Sequence, residues 1–188
     1  MNHFEQLNEK IYDSGALSPE LVAFMQAKKH KKIHPNRFQG FHDFLVKHDF
    51  KTGLEIGRSS GYSALAFATF YPEATLDSID IRGRPQHLEL FTAMGVEDRI
   101  NIIIGDSMSI PVNKIYDYIL IDGDHSYEGA KQDWQQIQSH VRQGSYVIFD
   151  DIQLTWEGAK SVAHLWKELE ATLPSTSKIC ADMGVVQI

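Results

Sequence analysis

The stretch Gly53–Ala68, GLEIGRSSGYSALAFA, decides the fold. Leu54–Ile56 reads as the end of a buried strand, Gly57–Gly61 as a tight turn, and Tyr62 onward as a helix. The helix follows from Tyr62, Leu65, Ala66, Thr69 and Phe70, which recur at i, i+3, i+4, i+7 and i+8. Strand, glycine turn and helix in that order make the corner of an open α/β sheet, where ligands bind beyond the carboxyl ends of strands. Two details set this turn apart from a dinucleotide fingerprint. Its glycines follow E-x-G-x-x-x-G instead of G-x-G-x-x-G, and Glu55 stands on the strand just ahead of the first. A pyrophosphate would be repelled by that carboxylate, whereas a cationic sulfonium amino acid would be drawn to it. Plain packing of a glycine turn is the alternative.

Working outward, 188 residues suffice for one sizeable core and are short for two, so a single domain is expected over residues 1–188. Within it, residues 1–50 read as an N-terminal helical cap and residues 51–188 as the sheet-bearing core. A hydrophobic share of 43% beside 23% charged residues is that of a soluble globular chain. No apolar run reaches membrane-spanning length, and MNHFEQLNEK is too polar for a signal peptide. Cys180, the only cysteine, excludes an internal disulfide and fits a cytoplasmic protein. The net charge of −7 argues against nucleic acid as a partner, and the local exception, Lys28–Lys32 (KKHKK), reads as a solvated face. His30 and His34 share i, i+4 spacing, but among those lysines they too read as solvated.

Ser18-Pro19-Glu20 starts a helix, with a hydroxyl cap and proline at the first helical position. Phe38, Phe41, Phe44 and Leu45 give a second helical stripe over Pro35–Lys47. Strands are expected at Lys51–Ile56, Thr75–Ile81, Ile100–Ile104, Tyr116–Asp122 and Ser145–Asp150, with closing strands at Lys178–Ala181 and Val185–Ile188. Helices are expected at Gln86–Met94, Glu128–Val141 (stopped by Gly144) and Trp156–Leu169. This alternation predicts one parallel sheet covered on both faces.

The acids gather where strands end. Asp80 closes the second strand 23 residues past Gly57, the spacing at which such sheets place an acceptor for ribose hydroxyls. Gly105-Asp106-Ser107 follows the third strand and either reaches an adenine edge or forms a turn. Asp122, Asp150 and Asp151 end the fourth and fifth strands. Carboxylates held together invite a divalent cation, and oxygen ligands suit Mg²⁺, Ca²⁺ or Mn²⁺. His125, three residues past Asp122, is placed to act as a general base. Helix capping and an Asp-Gly turn are the competing explanations.

These residues resemble the class I S-adenosylmethionine-dependent methyltransferases, in EIGRSSGYSALAFA, in Asp80 and in G-D-S at 105–107. More narrowly the chain resembles the small metal-dependent O-methyltransferases of the catechol and caffeoyl-CoA type, and bacterial enzymes that methylate sugar hydroxyls. Pro35–Gly61, Tyr116–His125 and Tyr146–Ile152 carry that likeness. The resemblance implies a Rossmann-like sheet of order 3-2-1-4-5-7-6 with an antiparallel last strand. It implies Glu55, Gly57, Ser59, Ser60 and Gly61 around the methionine part of the cofactor, and Asp80 at the ribose. Asp106 and Ser107 would flank the adenine, with Asp122 also against the cofactor. Asp122, Asp150 and Asp151 would be metal ligands, and Asp122 and His125 the catalytic pair. Asp151 departs from the asparagine of catechol-type enzymes, an acid being familiar in the sugar group.

The expected activity is methyl transfer from S-adenosylmethionine to a hydroxyl of a small-molecule acceptor, a sugar or phenol, assisted by Mg²⁺. An S-adenosylmethionine- or metal-binding protein without turnover is the alternative of a different class. A nicotinamide-dependent oxidoreductase is disfavoured by the missing G-x-G-x-x-G and by Glu55. The I-D-G-D end of the fourth strand lacks the N-P-P-aromatic signature of enzymes that methylate nucleic-acid amines. A homodimer is open, since the N-terminal helices would serve as a dimer surface or as a cap.

Overall fold

The computed structural model describes residues 35–111, 113–153 and 161–188. The helix expected at Ser18, the lysine cluster, the His30/His34 pair and Trp156 lie outside them. Seven strands form one sheet: β1 (Thr52–Ile56), β2 (Thr75–Asp80), β3 (Ile100–Ile104), β4 (Tyr118–Ile121), β5 (Tyr146–Phe149), β6 (Thr176–Lys178) and β7 (Gly184–Gln187). Their order is β3-β2-β1-β4-β5-β7-β6, as expected. All pairs are parallel except those of β7, which runs antiparallel to both β5 and β6. Among the described residues five α-helices accompany the strands: α1 (Pro35–Leu45), α2 (Tyr62–Phe70), α3 (Pro85–Ala93), α4 (Tyr127–Ile137) and α5 (Val162–Thr172).

The central strands are buried on both faces, so they read as unbroken apolar runs. Alternate residues nevertheless enter two separate cores. Tyr118, Leu120, Ile148 and Val185 pack with α1, α2 and α3 around Phe41, Leu65, Phe67 and Phe91. Ile119, Ile121, Val147, Phe149 and Val186 pack on the other side with α4 and α5, around Ala130, Ile137, Leu165 and Trp166. A parallel sheet between two helical layers is the result.

Several boundaries differ from the periodicity, and three of the differences have a clear local reason. The first closing strand is Thr176–Lys178 instead of Lys178–Ala181, because Ile179 N (3.0 Å) already donates to Met183 O and turns the chain into β7. The last helix starts at Val162, where Ser161 and His164 form a reciprocal capping box. Helix α4 ends at Ile137 and tightens into a 3₁₀ turn over Gln138–His140, short of Val141. The His140 carbonyl is drawn off to Tyr116 N (2.9 Å), at the approach to β4.

The switch in strand order falls between β1 and β4, whose carboxyl ends lie side by side: Ile56 pairs with Ile121. Asp77 braces the opposite half of the sheet. It is buried on β2, accepting from Lys114 Nζ (2.6 Å), Tyr116 Oη (2.6 Å) and Asn101 Nδ2 (3.0 Å). Burial pushes its pKa up, but these three donors prevail and the net shift is downward.

Candidate active site

The glycine turn is fixed by backbone contact with β2 and with the end of β4. Gly57 N donates to Ile79 O (2.8 Å), and Asp122 N donates to Ile56 O (2.8 Å). Gly57 has φ +96°, and a Cβ built on it would lie 2.0 Å from the Asp122 carbonyl oxygen. Only glycine satisfies both constraints. The turn and the first candidate catalytic acid are thereby locked to each other.

Beyond Gly57 the turn is clamped from below. Arg58 is almost fully buried, with Nε donating to His87 Nδ1 (2.8 Å) and Nη1 to Ser78 O. Because Nδ1 of His87 accepts, the proton of the neutral ring sits on Nε2, which donates to Ser59 O (2.8 Å). Burial, together with the Arg58 and Arg84 charges, pushes the His87 pKa below 6.5. The unfolded chain therefore takes up a proton first as pH falls, and the His87 contribution to stability, full above pH 6.5, is lost through the folded pKa below it. His87→Ala is expected to cost about 2 kcal/mol near neutral pH and to flatten the acid limb, read from denaturant midpoints across a pH series.

Ser59, at φ +47°, presents its N–H to Asp80 Oδ2 (2.9 Å), and Arg82 N donates to Oδ1 (2.8 Å). The Asp80 carboxylate is thus oriented at the end of β2. Asp106 caps the short turn Ser107–Ser109, accepting from Met108 N (3.0 Å). Helix α2 opens at Gly61 with no side-chain cap. Its first N–H groups and the positive end of its dipole are left for a ligand.

These parts surround one cavity of about 830 Å³ beyond the carboxyl ends of β1, β2, β4 and β5. Gly57, Ser59, Ser60, Asp80, Asp106 and Ser107 line it, and so do Asp122, His125, Asp150 and Asp151. Two of the expected residues stand elsewhere. Glu55 does not line the cavity: it lies on the face of β1 turned to α2, buried, and accepts from the hydroxyls of Ser63 and Ser78. Burial raises its pKa against those donors and Arg58. Gly61 also faces away, toward Phe91 and His87 on α3. The alternation of strand side chains puts Glu55 on the α2 side of the sheet, which a motif read as a string conceals.

The acids sort differently from the expected trio. Among the described residues the group with metal-ligand geometry is Asp122, His125 and Asp151, one donor atom from each lying within 4.8 Å of the others. His125 Nδ1 stands 2.8 Å from Asp151 Oδ2. Asp150 is not part of that group; its Oδ1 accepts from Asp151 N (2.9 Å). Asp151 adopts φ +60°, a left-handed conformation that costs a non-glycine residue about 1 kcal/mol or more. That conformation turns adjacent carboxylates to different tasks. Two oxygens and one imidazole nitrogen, close together on the cavity wall, fit a divalent cation.

Sequence reasoning passed over Asp133, a buried acid on α4 that lines the same cavity. The signal was available: Tyr127, Ala130, Asp133 and Ile137 form the buried face of α4, so an acid interrupts an apolar stripe. Arg58 was passed over as well, being the one charged residue inside the turn.

Solved structures with this fold are similar over the whole chain. A candidate caffeoyl-CoA O-methyltransferase from Staphylococcus aureus matches with a TM-score of 0.71 and 17% identity, over 99% of this chain and 98% of that one. A cofactor-bound protein from MTB matches with a TM-score of 0.69 and 17% identity, over 98% and 95%. The O-methyltransferase TomG from Streptomyces achromogenes, involved in tomaymycin synthesis and solved with S-adenosylmethionine, matches with a TM-score of 0.68 and 15% identity, over 100% and 99%. At these identities the likeness is one of fold. No curated protein matches the sequence significantly. The family model for a methyltransferase domain matches residues 54–152, from the glycine turn through the Asp150–Asp151 pair. With the glycine turn, Asp80 and the acidic ends of β4 and β5 all inside that span, the chain belongs to this methyltransferase family.

Proposed function

We propose that this methyltransferase transfers a methyl group from S-adenosylmethionine to a hydroxyl of a small molecule, a sugar or a phenol, with a divalent cation assisting. The observation that carries this reading is the Asp122–His125–Asp151 cluster, which opens on the same cavity as the glycine turn and Asp80. The uncapped N-terminus of α2 suits the cofactor's carboxylate, and Asp80, already oriented by two backbone N–H groups, suits the ribose hydroxyls. Ser107 and Asp106 stand where the adenine would follow. Asp122 and Asp151 would hold the cation through their carboxylates, with His125 beside them. Bound there, it would polarise the acceptor oxygen and lower its pKa. Asp151 also engages Nδ1 of His125, which leaves Nε2 as the nitrogen that would accept the hydroxyl proton. The rest of the work is positioning, two reactants held in one cavity.

Calorimetric titration with S-adenosylhomocysteine, with Mg²⁺ and again with a chelator, tests the reading. Binding under both conditions is expected, followed by Mg²⁺-dependent turnover in a screen of sugars and phenols. Binding in neither would overturn it. Asp80→Ala is expected to weaken S-adenosylhomocysteine affinity about 10- to 100-fold, the worth of hydrogen bonds to a charged acceptor. Unchanged affinity would remove Asp80 from the ribose.

A further inference from the structure

Asp133 is a buried acid of the cavity with no part in the scheme above. Its side chain is 7% exposed, and it comes from α4, not from the strand ends that supply the other carboxylates. Burial pushes its pKa up, and the neighbouring charges of Asp124 and Asp106 add to that. Among the described residues the only donor beside it is the Ser107 hydroxyl, which lowers its pKa somewhat but is not in well-formed hydrogen-bond geometry. A buried carboxylate with so little support demands a further donor, and the open side is the cavity. Gly123 lies against the carboxylate: a Cβ there would come within 3.2 Å of Asp133 Oδ2.

The position along the cavity says what the donor is. Asp80 and the loop after β3 abut, since Gly105 N donates to Asp80 O (3.0 Å). The succession from the glycine turn is therefore Asp80, then Gly105–Ser107, then Asp133 beside Ser107. A nucleoside whose ribose rests on Asp80 carries its base toward Ser107 and Asp133. We propose that Asp133 accepts a hydrogen bond from the exocyclic amine of the cofactor's adenine, so that the cavity distinguishes adenosyl from inosyl ligands. The inference rests on the S-adenosylmethionine reading given above. An amine offers the N–H that Asp133 lacks; the carbonyl oxygen at the same place in an inosyl ligand would bring one acceptor against another. Leaving buried polar groups unpaired is the mismatch that gives large discrimination.

The test compares titrations with S-adenosylhomocysteine and with its deaminated counterpart, S-inosylhomocysteine. Wild type is expected to prefer the adenosyl ligand by about 30-fold or more. Asp133→Asn keeps the shape and removes a buried charge, so folding is not at risk, and its amide N–H₂ can donate to the inosyl carbonyl. The preference is expected to shrink to near unity or to reverse. Equal binding of both ligands by wild type, or a full preference retained by Asp133→Asn, would overturn the assignment of Asp133 while leaving the cofactor reading intact. No binding of either ligand by wild type would overturn both.

Discussion

Gly57→Ala is expected to abolish methyl transfer and cofactor binding together and to destabilise the fold by about 3 kcal/mol or more. Two independent terms add here. The backbone at φ +96° is a conformation that a side chain strains against, and the new Cβ would sit 2.0 Å from the Asp122 carbonyl oxygen. The clash is with backbone, so no rotamer relieves it. Something must move, and the parts available are the turn and the end of β4. Moving β4 displaces Asp122 from His125 and Asp151, and moving the turn displaces Ser59 from Asp80. Thermal unfolding and titration with S-adenosylhomocysteine would check both effects. A well-folded variant that binds normally would show that the β1 and β4 ends are less tightly coupled than the geometry implies.

Asp151→Gly is expected to separate stability from activity. Glycine adopts φ +60° without strain, which recovers about 1 kcal/mol, while the lost contact with His125 costs a similar amount. Melting temperature should therefore stay within a few degrees of wild type. Turnover should fall on the order of 100-fold or more, because His125 loses the partner that orients it and the cluster loses one of three donors. A second readout excludes a merely structural effect. Wild type should gain thermal stability with added Mn²⁺, by preferential binding to the folded state, and Asp151→Gly should not. Retained turnover in the glycine variant would take Asp151 out of the chemistry.

Both variants probe places where backbone conformation and chemistry coincide, and the two were unequally legible. The glycine turn announced itself because E-x-G-x-x-x-G between a strand pattern and a helix pattern has few other uses. Strand ends were legible for the same reason: apolar runs such as INIII and YILI stop abruptly at Gly105 and Asp122. The sheet order came with the family resemblance, and β1 and β4 do lie side by side. The placement of Glu55 was not legible. Its position in the motif suggests a ligand contact, but strand alternation turns it toward α2, where Ser63 and Ser78 occupy it.

The alternation of strands and helices, the glycine turn and the gathering of acids at strand ends are all written in the order of residues. Periodicity and turn chemistry are local, and they need only neighbours in the chain. Which acids meet is decided by side-chain direction at distances of a few ångströms. Asp150 and Asp151 are adjacent in the chain, yet one stays outside the cluster and the other joins it through a left-handed backbone. Asp133 enters the cavity from a helix on one face of the sheet, beside a loop from β3. Tertiary structure alone made those choices, because they depend on packing across the sheet between residues far apart in sequence.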